Sequence, residues 1–286
     1  MGEFFHPFFC LLIFLGSYIN PMEIKIKSCL DGRFGMIPFE LHDKQKEILN
    51  NLQVNKYNII RQSRAVGITT LLAKQVADKI MTEQTTTVYI GPNMGCGHYF
   101  KTLVHDLLIQ ESVEFKSNSI TELSVYGGGT LLIKLTNNIL MGSSYDYVIL
   151  EGFTNFLRKF DIEAMYHITK KITIASTPTK PTTGYNAKNY NPNPNDFNHI
   201  YFDSMLGYNN FYISDYLWYD HPIFGKDDYW QQTLDSNLKF YDKGSLEMKT
   251  RMTNLGFVHL SPTYLKYLNT FGYHSEQCKY ELDAHM

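Results

Sequence analysis

The sequence predicts an α/β fold, a doubly wound and mostly parallel sheet with a small C-terminal helical subdomain. Three observations carry that expectation. Short strand-like runs alternate with helical segments, several runs are apolar throughout, and the connections between them are long enough for crossover helices.

The elements follow in chain order. After Met22, "EIKIKSCL" alternates like a short strand, and "HDKQKEILNNLQ" reads as a helix with Ile48, Leu49 and Leu52 on one face. "KYNIIRQ" is a short apolar strand. Thr69 to Glu83 is a helix in which Leu72, Val76 and Ile80 recur at helical spacing. "TTTVYIGP" is a β-branched strand ended by Gly91-Pro92-Asn93, and residues 96–110 form a helix with Phe100, Leu103, Leu107 and Leu108 inward. "ELSVYGGGTLLIKLTN" is a hairpin, because alternating runs flank a turn at Gly127 to Gly129. "YDYVILEG" and "KKITIAST" are two further strands, with room for a helix between them.

Residues 177–199, "TPTKPTTGYNAKNYNPNPNDFNH", are expected as an exposed loop, since their Asn-Pro and Pro-Asn junctions fit neither a helix interior nor a central strand. Beyond it, "NNFYISDYLWYDHP" reads as a strand, and "DDYWQQTLDSNLKF" and "SLEMKTRMTNLGFV" as helices. The expected division is an apolar extension over 1–21, a core over 22–200, and a C-terminal subdomain and tail over 201–286. No internal repeat is present.

Composition narrows the function without naming it. Of 286 residues, 19% are charged and 44% hydrophobic, with 21 Tyr and 19 Phe, which describes a folded chain rather than a disordered one. The net charge of −2 gives no global signal for nucleic acid, so partners must be argued from motifs. Cys10, Cys29, Cys96 and Cys278 are scattered with no zinc spacing. The nearest approach to one, His274 with Cys278, reads as part of a solvated tail, and free thiols fit a reducing, intracellular setting. The apolar run Phe8 to Leu15 is too short to span a bilayer and lacks a basic leader, carrying Glu3 instead. His6 stands where a myristoylation motif takes Ser or Thr. The expectation is that Met22 opens the functional chain and that no stable membrane association occurs; a membrane anchor is the other reading of this run.

The most informative stretch is "NIIRQSRAVGITTLLAKQV", residues 58–76. A strand, a small-residue turn and a helix opened by Thr-Thr have the outline of a phosphate-binding loop, in which backbone N–H groups and a helix N-terminus surround an anion; the other reading is that the segment is merely a turn. Gly67 allows close approach, Thr69 is the Mg²⁺-binding hydroxyl and Thr70 lies in the first helical turn. The lysine of such loops is replaced by Ile68. Arg61 and Arg64 flank the loop and either supply the missing charge through bidentate contacts or pair with surface carboxylates.

A second element, "SSYDYVILEGFTNF", is an apolar strand ending in Glu151-Gly152. Strands of this kind ordinarily end in Asp-Glu, one carboxylate for Mg²⁺ and one for the attacking water. Glu151 takes the metal role or is a solvated strand end, and the second carboxylate is absent. A third element, "ITIASTPT", ends a strand in Ser176-Thr177-Pro178, hydroxyls placed to sense a γ-phosphate.

In their order and spacing these pieces resemble the N-terminal ATPase domain of the large terminase subunit of tailed bacteriophages, a P-loop NTPase of terminase/RecA-like type, over roughly residues 36 to 265. "LHDKQKEIL" resembles the adenine-recognising segment, with Gln45 as the adenine-reading glutamine. "SRAVGITT" resembles the Walker A loop, with Arg64 matching the arginine that triggers hydrolysis. "MGSSYDYVILEGFTNF" resembles the stretch through Walker B, with Met141 in place of an arginine. "ITIASTPT" resembles the coupling motif, and "YDHPIFGKDDYWQQT" the tryptophan-bearing helix region that closes the domain.

The resemblance implies ATP and Mg²⁺ as cofactors. Gln45, Arg61, Gln62, Ser63, Arg64, Gly67, Ile68, Thr69 and Thr70 would surround the nucleotide, Thr69 and Glu151 would hold the metal, and Arg64, Glu151 and Thr177 would be catalytic or coupling groups. It further implies double-stranded DNA, portal or other packaging-motor proteins and a homo-oligomeric ring as partners, at a procapsid vertex in the host cytoplasm. The departures bear equally on activity. Some terminases place the lysine at the start of the loop, where this chain has Gln62 beside Arg61. Gly152 replaces the catalytic glutamate and Glu151 the Walker B aspartate. Terminases continue into a nuclease domain, and the tail "HSEQCKYELDAHM" offers Glu276, Glu281 and Asp283 without room for that fold, so independent DNA cleavage is not expected.

Three readings follow: a DNA-packaging ATPase domain, a catalytically reduced relative that binds nucleotide, DNA or a motor partner as a scaffold, and a helicase-like protein. The third is disfavoured because ordinary helicases of this class keep both the lysine and the Asp-Glu pair. Trp218 and Trp230 read as packing residues and the ten histidines as surface or core groups. Lys170, Lys171 and Lys180 either touch DNA phosphates or solvate strand and loop ends.

Overall fold

The structure, a computed structural model, describes residues 25–27, 36–38, 41–63, 66–134, 144–152, 162–178, 197–231, 239–240, 251–252 and 254–265. The chain forms two compact units, residues 1–40 and 41–286. In the first, β1 (Lys25–Lys27) pairs antiparallel with β2 (Met36–Pro38).

The second unit opens with α1 (Asp43–Val54) and β3 (Tyr57–Gln62), followed by α2 (Ile68–Thr82), β4 (Thr86–Ile90) and α3 (Met94–Gln110). A meander of β5 (Phe115–Asn118), β6 (Glu122–Val125) and β7 (Thr130–Lys134) comes next. Then follow β8 (Tyr145–Glu151), α4 (Ile162–Ile168), β9 (Thr169–Ser176), α5 (Phe197–Met205) and β10 (Tyr212–Tyr216). Their strands make one eight-stranded sheet in the order β10-β3-β9-β8-β4-β7-β6-β5. Every pair from β10 across to β7 is parallel, and only the β7-β6-β5 end is antiparallel.

Strand alternation divides the core into two layers. Ile59, Val88, Ile90, Val148, Leu150, Ile172 and Ile174 face α4 and α5, where they pack with Met165, Phe197, Ile200 and Tyr201. The alternate positions face α2 and α3: Tyr89 stacks on Phe100 with ring centroids 3.9 Å apart, and the Tyr147 hydroxyl donates to Gln75 Oε1 at 2.8 Å. Helices therefore cover both faces, as expected for a doubly wound sheet.

Three sequence expectations are corrected beyond residue 196. Phe197, Asn198 and His199 begin α5 rather than ending the long loop, and residues 179–196 lie outside the described residues. The sequence places β10 in the C-terminal subdomain, yet it pairs parallel with β3 along its whole length and forms the edge of the main sheet. The "DDYWQQTLDSNLKF" segment reads as helical from its sequence. Instead β11 (Tyr229–Gln231) pairs antiparallel with β12 (Lys239–Phe240) and β13 (Val258–Leu260), so the described residues of the C-terminal region include a three-stranded sheet. Its centre holds Trp218, Phe224, Tyr229, Leu260 and Tyr264, with Trp218 stacked on Tyr264 at 4.0 Å. Trp230, also buried, stacks on His259 at 4.4 Å, so both tryptophans are packing residues.

Candidate functional site

The site forms where the carboxyl ends of β3, β9, β8 and β4 meet the start of α2, the edge at which open α/β sheets bind ligands. β3 delivers the loop and Gly67 turns it into the helix. Gly67 has φ +87°, a left-handed conformation that glycine adopts without steric penalty, and its carbonyl accepts from Leu71 N at 3.0 Å. The backbone then enters α2 at Ile68, with the first-turn N–H groups free of helix partners, as an anion-binding N-terminus requires.

Gln45 meets this loop directly. It is buried in the first turn of α1, where its Oε1 accepts from His42 N at 3.3 Å and its Nε2 lies 3.5 Å from the Val66 carbonyl. A Cβ at position 67 would lie 3.1 Å from Gln45 Nε2, so the glycine also makes room for the glutamine.

Ser63 is tied to the segment after β10. Its N–H donates to the Tyr216 carbonyl at 3.0 Å and its Oγ accepts from Trp218 N at 3.0 Å. Sequence reasoning singles out neither Tyr216 nor Trp218 for the site, because a partner more than 150 residues away leaves no local pattern.

The centre of the site is a three-residue cluster. Thr69 Oγ1 donates to Glu151 Oε1, and Tyr89 OH donates to Glu151 Oε2 at 3.0 Å. Glu151 is 7% exposed, which corrects its reading as a solvated strand end. Burial pushes its pKa up, partly offset by the two hydroxyl donors, because no cation among the described residues pairs with it. Burial and the neighbouring Glu151 push the Tyr89 hydroxyl well above its ordinary range, so it remains a donor. Sequence reasoning misses Tyr89, since a tyrosine in an apolar strand gives no sign of a carboxylate partner.

The remaining candidates divide clearly. Ile68 is 1% exposed and belongs to the core. Gln62 and Thr70 are half-buried at the two ends of the loop, and Thr177 lies just past β9, where its carbonyl accepts from Ser176 Oγ at 3.2 Å. Arg61 does not join the cluster. Alternation along β3 turns it toward α5, where Nε and Nη2 bind the two oxygens of Asp215 at 3.0 and 2.7 Å and the guanidinium lies over the Tyr201 ring. Burial opposes its charge, but Asp215 outweighs that and holds its pKa above the usual value. Of the two sequence readings for Arg61, carboxylate pairing is the one the geometry displays. Arg64 and Met141 lie outside the described residues.

Gly152, the position of the missing carboxylate, has φ +67°, and its N–H donates to the Ala175 carbonyl at 2.9 Å. A Cβ there would come within 2.6 Å of Pro92 Cγ. The backbone itself thus disfavours a side chain at this point.

The donor set can be tested against Mg²⁺. Thr69 and Glu151 offer a hydroxyl and a carboxylate side by side, hard oxygen donors of the kind Mg²⁺ takes while keeping several waters. A carboxylate whose pKa is raised by burial, with no cation paired to it among the described residues, fits a dication. The loop backbone fits an anion, although residues 66–70 carry no charged side chain.

The chain matches no family model and no curated protein. Among solved structures it is similar to the large terminase of a thermophilic bacteriophage, at 11% identity and a TM-score of 0.48 over 64% of this chain. It is also similar to the large terminase ATPase domain of Thermus phage P74-26, at 14% identity and a TM-score of 0.45 over 64% of this chain. The chain spans 47% of the length of the first of these proteins and 83% of the Thermus phage domain. No helix among the described residues is long and apolar enough to cross a membrane.

Proposed function

We propose that this chain is a terminase-type ATPase domain of a viral double-stranded DNA packaging motor, binding Mg²⁺ and ATP at the loop of residues 63–70 with reduced hydrolytic machinery. The observation that carries the reading is the Thr69–Glu151 pair at the mouth of a glycine-turned loop and helix N-terminus. Bound Mg²⁺ would neutralise phosphate charge there. The residues of the chain divide the remaining work. Gln45 buttresses the loop and faces the adenine side, Thr69 and Glu151 hold the metal, and Thr177 at the end of β9 links the site to neighbouring loops. Arg64 is the cation this reading assigns to the phosphates, since Ile68 has no charge and Arg61 is committed to Asp215. Double-stranded DNA, portal-type motor proteins and a homo-oligomeric ring are the partners that belong to this reading.

A second reading, a non-hydrolysing scaffold that keeps the fold to bind nucleotide, DNA or a motor partner, is favoured by one observation. Gly152 replaces the water-activating carboxylate in a left-handed conformation pressed against Pro92, and phosphoryl transfer depends almost wholly on positioning and charge stabilisation.

Calorimetric titration of the full chain with an ATP analogue and Mg²⁺, alongside phosphate release with and without DNA, tests both. Binding with release abolished by Arg64→Ala supports the motor, and binding without release supports the scaffold. Absence of binding at millimolar nucleotide would end both nucleotide readings.

A further inference from the structure

The opposite edge of the main sheet carries a cavity that the nucleotide reading does not use. It measures about 310 Å³ and lies at the amino ends of β3, β8 and β9, one strand length from the loop, or roughly 20 Å for a strand such as β8. Lys56, Lys79, Lys170 and Lys171 line it, against the two carboxylates Glu83 and Asp146.

The carboxylates do not neutralise this group. Asp146 is shared between Lys170 Nζ at 2.7 Å and Thr86 N at 2.9 Å, and Glu83 pairs with Lys79 at 3.3 Å within one helix turn. Solvent-accessible pairs of this kind contribute little and exchange readily. Lys171 has a neutral acceptor, the Gln53 carbonyl at 3.3 Å, and is half-buried. Its pKa is lowered first by burial and then by repulsion from Lys79, with Glu83 acting weakly the other way. Lysine ammoniums drawn into one concavity against their mutual repulsion are the arrangement that a multiply charged oxyanion relieves.

We propose that this cavity binds a phosphate-bearing anion through Lys56, Lys79 and Lys171, independently of the loop at residues 63–70. Its size suits a diphosphate or a short run of phosphodiester. Lysine supplies point charges that tolerate either, rather than the planar fork that selects one geometry. The ligand is therefore a phosphoryl oxyanion, from free oligophosphate or from a nucleic-acid backbone.

The test is calorimetric titration of inorganic pyrophosphate into the full chain carrying Thr69→Ala, with and without Lys56→Gln and Lys171→Gln. Binding retained in Thr69→Ala and weakened about tenfold or more by the two lysine changes is the expected result, the loss of charged hydrogen bonds being of that order. Unchanged affinity in the lysine variant, or absence of binding in Thr69→Ala, would overturn the proposal. Should the double variant fail to fold by circular dichroism, Lys56→Gln alone, at an exposed position, gives the same reading through a smaller loss. Competition by duplex DNA separates the sources. Displacement of pyrophosphate, with a salt slope that falls by about one per lysine removed, assigns the backbone phosphate, and failure to displace assigns free oligophosphate.

Discussion

Gly152 and Pro92 are pressed together at the carboxyl edge of the sheet, where an added Cβ would lie 2.6 Å from Pro92 Cγ. With φ at +67°, the glycine holds a conformation that side chains enter at a penalty of about 1–2 kcal/mol before any clash. Gly152→Glu therefore does not restore a water-activating carboxylate. The expected outcome is a loss of at least about 2 kcal/mol of stability by urea unfolding, with no gain in phosphate release. A rise in release at unchanged stability would show that this backbone accepts the missing group after all.

Glu151 makes stability depend on pH and on metal. Its carboxyl titrates higher in the folded chain than in the unfolded one, because burial penalises the charge. The contribution of this group to folding is therefore fully present below the unfolded carboxylate pKa and is lost as pH rises above it. Glu151→Gln is expected to stabilise the metal-free protein at pH 7 by about 1 kcal/mol or more, an advantage that vanishes near pH 4. Thermal melts across pH check this, and Mg²⁺ with ATP should raise the Tm of the wild type but not of the variant.

His221 acts in the opposite sense. Buried, and 4.8 Å from the ring of His42, it is pushed down to about 4, first by burial and then by His42, while its Nδ1 accepts from the backbone of Ile223 and Phe224. A depressed histidine contributes stability above its unfolded pKa, near 6.5, and that stability is lost as pH falls toward 4. His221→Asn, which keeps an acceptor, should flatten this acid limb by at most about 3 kcal/mol in denaturation measured between pH 7 and 4.

Arg61 separates architecture from ligand binding. Its bidentate pair with Asp215 ties β3 to the edge strand β10, and both partners retain partial solvent access, so a cost of about 1–2 kcal/mol is expected for Arg61→Ala. Nucleotide affinity should stay within about threefold of wild type, since less than about 1 kcal/mol is expected from a group on the other face of the strand. A double cycle with Asp215→Ala should recover most of the stability loss as coupling. A large fall in affinity at intact stability would instead give Arg61 a role at the phosphates.

The parts legible in the sequence are those with local causes. The helical spacing of Leu72, Val76 and Ile80, the apolar runs of β3, β8 and β9, and the glycine turn between β6 and β7 place those elements correctly. The strand–turn–helix loop with Thr69 and the apolar strand ended by Glu151 stand out as local patterns, and the fold brings those two side chains together. Which strands become neighbours is not legible. β10 reads as a strand of the C-terminal subdomain but joins the main sheet, and Tyr229–Gln231 reads as helix because its apolar positions suit either period until β13 pairs with it. Tyr89, Asp215 and Trp218 meet their partners only through the fold, so no local pattern announces them.

The strand order also sets a timetable. β3, which carries the loop, has β9 on one side and β10 on the other, and Arg61 meets Asp215 only after 154 further residues. At ordinary synthesis rates β3 waits on the order of ten seconds for that neighbour, an apolar strand with both edges open until β9 is made and one edge open until β10 follows. The long sequence separation of its pairings makes this a slow-folding sheet, and the ribosome-bound chain is most exposed to mispairing in the interval before β10 emerges.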